Sequence, residues 1–293
     1  MSAGRITVVK GDERLASIPL ERVSAVVVHG NVDLSGALLR ELMWRGLPCV
    51  WCTGAGRVVG WTNGVKPPNG GARFCQFAAS AEGRVDIARE FVVAKVANQA
   101  TILRRFGGMP AVVKRLRSAT RQASTATSTG QLFGIEGRAA AEYFAGFPGL
   151  LAPGVDAGVA ESFPGRVGRG ATDPLNIALN YGYGMLLSEV IRAVLACSLD
   201  PHAGVLHSSG RNKPALALDL MEELRPVLAD RLPAPQMSRR SSPRSLDQAA
   251  HPCRACSRHG RSAARSGGPP GFQPSPLART GLAQAYPERR RGL

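Results

Sequence analysis

VDIAREFVVAKVANQATILRRF, residues 85–106, is where the chain changes its hydrophobic period. Ile87, Phe91, Val92, Val96, Ile102 and Leu103 recur at the spacing of one face of an α-helix. Upstream the pattern is different. ITVV (6–9), LASIPL (15–20), SAVVVHG (24–30), LPCVW (47–51) and RVVGWT (57–62) are short β-branched or aromatic runs separated by Gly, Asp and Asn, the signature of strands. CTGAGRVV (52–59) reads as a hairpin turning at Gly54 and Gly56. One helix, GALLRELMWR (36–45), interrupts the strands, with Ser35 to cap it and Gly46 to end it. Trp44, Trp51 and Trp61 all fall here and are expected in the core or in a dimer interface.

Downstream the chain reads as helices. GMPAVVKRLRSATRQAST (108–125) is a weaker helix or a pair of turns, and TGQLFGIEGRAAAEYFAGF (129–147) is a clear helix. Residues 147–171 are rich in Gly and Pro and read as a loop. Asp173-Pro174 then opens a long helix, with Asp at the cap and Pro in the first helical position. ALALDLMEELRPVLADRL (215–232) is the last amphipathic segment. The expected class is α+β: a β-rich, sandwich-like N-terminal domain over residues 1–66, a linker over 67–81, an all-α domain over 82–233 and a tail over 234–293. The tail is Arg/Ser/Pro-rich and expected to be disordered, or to stem from a shifted reading frame.

The net charge of +16 points to a polyanionic partner, nucleic acid first. The tail holds 11 Arg against Asp247 and Glu288, so +9 of that charge lies outside the expected folded body. The body is moderately basic, which fits DNA. No window reaches the unbroken apolar length of a membrane span, and MSAGRITVVKGDERL lacks an apolar signal stretch, so the expectation is a cytoplasmic protein without membrane association. Such a protein keeps its six cysteines reduced. Cys49 and Cys52 in LPCVWC read as strand residues. Cys253 and Cys256, flanked by His251 and His259, have zinc-like spacing but no apolar residues around them to build a small fold.

Four residues carry candidate chemistry. In QLFGIEGRAAAEYF the apolar stripe runs through Leu132, Ile135, Ala139 and Tyr143, and Glu136 falls on it. An inward carboxylate is costly unless paired or bound to a cation; a small rotation of the helix would instead leave it at the margin. Asp219 and Glu222 share a helical face and can hold a divalent cation, or they belong to a solvated acidic face with Glu223. His207 lies in the preceding loop, GVLHSSGRNKP, where a lone histidine is as readily structural. As a set, two carboxylates and an imidazole suit Mg²⁺ or Mn²⁺ rather than Zn²⁺. Ser209, Arg211, Asn212 and Lys213 in the same loop are phosphate-contacting types, with Ser209, Arg211 and Lys213 the expected DNA contacts.

Five segments in order resemble the CRISPR-associated endonuclease/integrase family, the catalytic subunit of the spacer-acquisition complex. They are IPLERVSAVVVHGNVDLSGALLREL (18–42), AREFVVAKVANQATILRRF (88–106), FGIEGRAAAEYF (133–144), TDPLNIALNYGYGMLLSEV (172–190) and LDPHAGVLHSSGRNKPALALDLMEELRPVLADR (199–231). The resemblance implies that Glu136, His207 and Glu222 are metal ligands and that Asp219 supports them. It also implies a homodimer, a small dimeric partner subunit, and insertion of short double-stranded DNA fragments into a CRISPR repeat by 3′-hydroxyl attack. The alternative is an inactive DNA-binding or assembly subunit of the same complex, motivated by the aberrant tail.

Overall fold

The computed structural model describes residues 4–64, 69–151, 157–207 and 213–230. These fall within one compact unit covering residues 1–240. The five expected strands are present. β1 (Arg5–Lys10) and β2 (Glu13–Pro19) form an antiparallel hairpin. β3 (Val26–His29), β4 (Cys49–Cys52) and β5 (Val58–Thr62) form a second sheet in that order, with β3 parallel and β5 antiparallel to β4. A parallel neighbour needs a crossover, and α1 (Gly36–Arg45) supplies it. Ser35 Oγ accepts from Leu38 N at 3.2 Å, and Gly46 closes the helix at φ 69°. α1, β1, β3 and β4 meet in a small core of Leu20, Val28, Leu42 and Cys49, with Ile6 and Trp51 beside it. Trp61 is partly buried, whereas Trp44 is 80% exposed and belongs to no core.

The stretch expected as a linker, 67–81, is largely helix. α2 runs Gly70–Glu82, capped by Asn69, whose Oδ1 accepts from Ala72 N at 3.1 Å. The Pro pair precedes the cap and the Gly pair falls in the first turn, so the breakers punctuate the start of a helix rather than a flexible segment. α2 has no fully buried residue and docks through hydrogen bonds instead. Arg73 Nε donates to Ser198 O, Gln76 Nε2 to Asp200 O and Ala203 O, and Ser80 Oγ to Gly204 O, at 2.6–3.0 Å. It thereby fixes the turn that leads to His207.

Beyond α2 come α3 (Val85–Ile102), α4 (Pro110–Ser124), α5 (Thr129–Ala145), a short α6 (Ala157–Glu161), α7 (Pro174–Ala196) and α8 (Ala215–Leu224). Residues 108–125 thus form one full helix, not turns. Asp173 caps α7, its side chain accepting from Asn176 N at 2.9 Å. α3 and α8 each run on into a π-helical turn, Leu103–Gly107 and Arg225–Ala229. α3, α4 and α5 enclose the main core through Val92, Val96, Leu116, Leu132 and Tyr143. A second core joins β4 to α7 and α8 through Val50, Cys52, Ile191, Ala217 and Met221, so no break in packing falls at residue 66. Among the described residues no helix is long and apolar enough to cross a membrane. The tail with Cys253 and Cys256 lies outside the described residues.

Candidate metal centre

α3, α5 and α8 pack together and bring Lys95, Glu136 and Glu222 to one point. The four stripe residues of α5 named from the sequence are its buried residues. Glu136 sits at the edge of that stripe, its side chain 24% exposed, and ion-pairs with Lys95 Nζ. On α8, Asp219 and Glu222 are both buried, which excludes the solvated acidic face. Lys95 Nζ also lies 2.5 Å from Glu222 Oε2. One ammonium therefore bridges two carboxylates. Arg225, one turn beyond Glu222, puts its guanidinium 3.1 Å from Glu222 Oε1. Burial alone would push the Glu222 carboxyl up; the charges of Lys95 and Arg225 outweigh it and hold it below the usual carboxylate value.

Asp219 has a different task. Its Oδ2 accepts from Val205 N (2.7 Å) and Leu206 N (3.0 Å), and its Oδ1 from His207 N (2.9 Å) and the His207 ring at Nδ1 (2.7 Å). A carboxylate acceptor fixes Nδ1 as the donor, so the lone pair of His207 stays on Nε2. Nε2 lies 4.0 Å from Glu222 Oε1. Phe133 on α5 meets the imidazole edge-on, with centroids 5.9 Å apart. Asp219 is thus a positioning residue, while Glu136 and Glu222 flank Lys95 and His207 Nε2 lies on the far side of Glu222, near Oε1.

Among the described residues no three His, Cys, Asp or Glu side chains form a ready-made ion cage. The donor set nevertheless fits a hard divalent cation. Glu222 Oε2 is buried and has no aligned hydrogen bond, despite its close contact with Lys95. Two carboxylates and an imidazole nitrogen are the hard and borderline donors that Mg²⁺ or Mn²⁺ accepts. A cation, the ammonium, already occupies the space between the carboxylates. Of the expected DNA contacts, Lys213 is exposed just before α8; Ser209 and Arg211 lie outside the described residues.

Lys95 and Arg225 were not among the residues singled out from the sequence. Lys95 carried a usable signal, since it stands three residues after Val92 and seven before Ile102, on the buried face of α3. Asn98 on that helix donates to Glu223 O at 2.8 Å and ties α3 to α8. Arg225 carried no such signal; its guanidinium lies over the Tyr183 ring, 4.8 Å from its centroid, a contact only the fold creates.

The family model described as CRISPR associated protein Cas1 matches residues 1–247. The chain is 36% identical over 234 residues to CRISPR-associated endonuclease Cas1 1 of Thermus thermophilus, covering 78% of this chain and 69% of that one. It is 38% identical over 221 residues to a CRISPR-associated exonuclease Cas4/endonuclease Cas1 fusion of Rhodospirillum rubrum, covering 73% of this chain. It spans only 38% of that fusion's length, and 41% of a like fusion from Geobacter sulfurreducens. Its structure resembles a CAS1 protein from Thermotoga maritima, with TM-score 0.66 and 27% identity over 79% of this chain and 73% of that one. A chain of a Cas6-RT-Cas1–Cas2 complex matches with TM-score 0.63 and 26% identity, over 76% of this chain and 25% of that one. By sequence and by fold, the chain belongs to the Cas1 family of CRISPR-associated proteins.

Proposed function

We propose that the chain is a metal-dependent DNA endonuclease and integrase. It joins the 3′-hydroxyl of a short double-stranded DNA fragment to a phosphodiester of a CRISPR repeat, in antiviral defence. The observation that carries this reading is the pairing of Glu136 and Glu222 across one ammonium, with His207 Nε2 4.0 Å from the second oxygen of Glu222. The relatives' description as endonucleases supports it. Mg²⁺ or Mn²⁺ at that position would polarise the phosphodiester and offset the charge that develops on its oxygens.

The chain's own residues prepare that position. Asp219 holds His207 in the tautomer that offers Nε2. Arg225 and Lys95 keep Glu222 ionised in a buried place. Lys213, with Ser209 and Arg211 in the same loop, provides phosphate contacts that set the DNA register. Val8, Val9, Leu15 and Ile18 on the β1–β2 hairpin are exposed, and this apolar surface suits a homodimer. The likeness to a chain of a Cas1–Cas2 complex supports a small dimeric partner of the Cas2 kind.

The test is strand transfer of a short duplex into a supercoiled plasmid bearing a CRISPR repeat, with partner subunit and Mg²⁺ or Mn²⁺. Metal-dependent joining that Glu136→Ala and His207→Ala abolish is the expected result. Unchanged joining in either variant contradicts the assigned roles. DNA binding without metal-dependent nicking points instead to a non-catalytic assembly subunit.

A further inference from the structure

Lys95 helps to keep Glu222 ionised, but a metal held by the same carboxylates would take over that task. Lys95 is the least expected side chain in the site, a lysine with only 7% of its side chain exposed, set between two carboxylates that the proposed function gives to a metal. Asp219 is committed to loop amides and to His207. Glu136 and Glu222 then stand against Lys95 and Arg225, with the buried carboxyl of Asp230 also within electrostatic reach of both cations. Arg225 has a second hold, over the Tyr183 ring. Lys95 alone touches both carboxylates.

We propose that Lys95 is the resident counter-ion of the metal centre: its ammonium holds Glu136 and Glu222 together and is displaced when a divalent cation binds between them. The inference rests on the metal reading above and adds to it a residue that sets the affinity. Two consequences follow from charge alone. A doubly charged ion and an ammonium repel at contact distance in a half-buried site, so both cannot occupy the bridging position. A cation between the two carboxylates offsets their mutual repulsion, which is felt most at Glu222, where little water screens it. Lys95 is attached to the chain and is always present, so it competes at a fixed effective concentration. That lowers the affinity for the metal and favours an ion of higher charge density over monovalent cations.

The atoms that would change partners are few. Lys95 Nζ leaves Glu136 Oε1 and Glu222 Oε2. Glu222 Oε2, which has no aligned hydrogen bond, then becomes a ligand without breaking one. His207 need not move its Nδ1 bond to Asp219.

The experiment measures Mn²⁺ binding to the full chain from the loss of the free-ion electron paramagnetic resonance signal, in wild type and in Lys95→Gln. Glutamine keeps much of the volume and removes the charge. Binding at least ten-fold tighter in Lys95→Gln is the expected result, with a larger rise in Tm on adding Mn²⁺ than in wild type. Mn²⁺ binding by wild type that Lys95→Gln leaves equal or weakens overturns the counter-ion role but not the metal centre. Failure of both proteins to bind Mn²⁺ overturns both. A second measurement uses wild type alone and is immune to misfolding of the variant. The chain has only five lysines. A buried, ion-paired ammonium exchanges protons slowly enough to be seen by ¹⁵N-lysine Nζ resonances. Titration with diamagnetic Mg²⁺ should shift or broaden the protected resonance; a resonance that stays in place at saturating Mg²⁺ overturns the proposal.

Discussion

His207 Nδ1 lies 2.7 Å from Asp219 Oδ1, and that carboxylate also accepts the backbone N–H groups of Val205, Leu206 and His207 itself. A single buried side chain thus sets the path of the loop and the orientation of the imidazole it carries. Asp219→Asn keeps the shape but turns one acceptor into a donor facing amide donors. The expected cost is about 3 kcal/mol, the scale of leaving buried donors unpaired. Urea denaturation reads the loss, and Mn²⁺ binding should weaken in parallel. Full stability with full metal binding would contradict the positioning role.

Gly204 is packed against this arrangement. A Cβ there would lie 2.7 Å from Asp219 Oδ2 and 2.7 Å from the carbonyl carbon of Ala215. Neither neighbour can yield, since one is backbone and the other is bonded to two amides. Gly204→Ala should cost roughly 1–3 kcal/mol and lower metal affinity, because relieving the clash moves His207. A variant as stable as wild type would show that the loop has room the structure does not.

Gly184 makes the corresponding close approach between α7 and the β4–β5 hairpin, where an added Cβ would meet Gly56 O at 2.4 Å. Alanine gains about 1 kcal/mol in helix propensity, which the backbone clash should exceed. Gly184→Ala is therefore expected to lower Tm. A rise in Tm would mean that the strands and α7 are not seated together.

Asp230 gives a pH dependence of defined sign. It is buried, accepts from Tyr183 Oη at 2.6 Å, and has its carboxyl raised from 3.8 to about 6, chiefly by loss of hydration. A raised acid binds its proton more tightly folded than unfolded. Its contribution is full below 3.8 and is lost as pH climbs to about 6, a change of roughly 3 kcal/mol. Glu222, held low, acts in the opposite direction and loses its contribution as pH falls. Asp230→Asn isolates the first effect. Its stability relative to wild type should improve by most of that amount, about 2 kcal/mol, between pH 4 and pH 7, measured by urea denaturation. A difference that does not change with pH would contradict a raised Asp230.

Much of the architecture was legible in local chemistry. Ser35 and Gly46 bracket α1, Asp173-Pro174 starts α7, and the short β-branched or aromatic runs become strands, because each of these signals acts over a few residues. α2 is not legible locally, because Pro and Gly punctuate both linkers and helix starts, and the hydrogen bonds that seat it come from residues more than a hundred positions away. α4 looked weak because only Val113, Leu116 and Ala123 of its fifteen residues are fully buried. The site was half legible. Glu136 is legible because it falls on an apolar stripe, and the structure leaves it at the margin of that stripe, as the small-rotation alternative has it, while His207, Asp219 and Glu222 gain meaning only as an ordered set. Lys95 escaped notice because a lysine among Val and Ala reads as a solvated break in the stripe, and only the approach of α5 and α8 shows what it faces.

Glu136, His207 and Glu222 are expected to hold one divalent cation. The most direct measurement is anomalous diffraction at the manganese edge from crystals of the full chain grown with Mn²⁺. The account predicts a single strong peak within bonding distance of Glu136, Glu222 and His207 Nε2, with Asp219 still on Nδ1 and Lys95 moved aside. A well-ordered site with no such peak, or with the Lys95 ammonium still bridging the two carboxylates at saturating Mn²⁺, would contradict it.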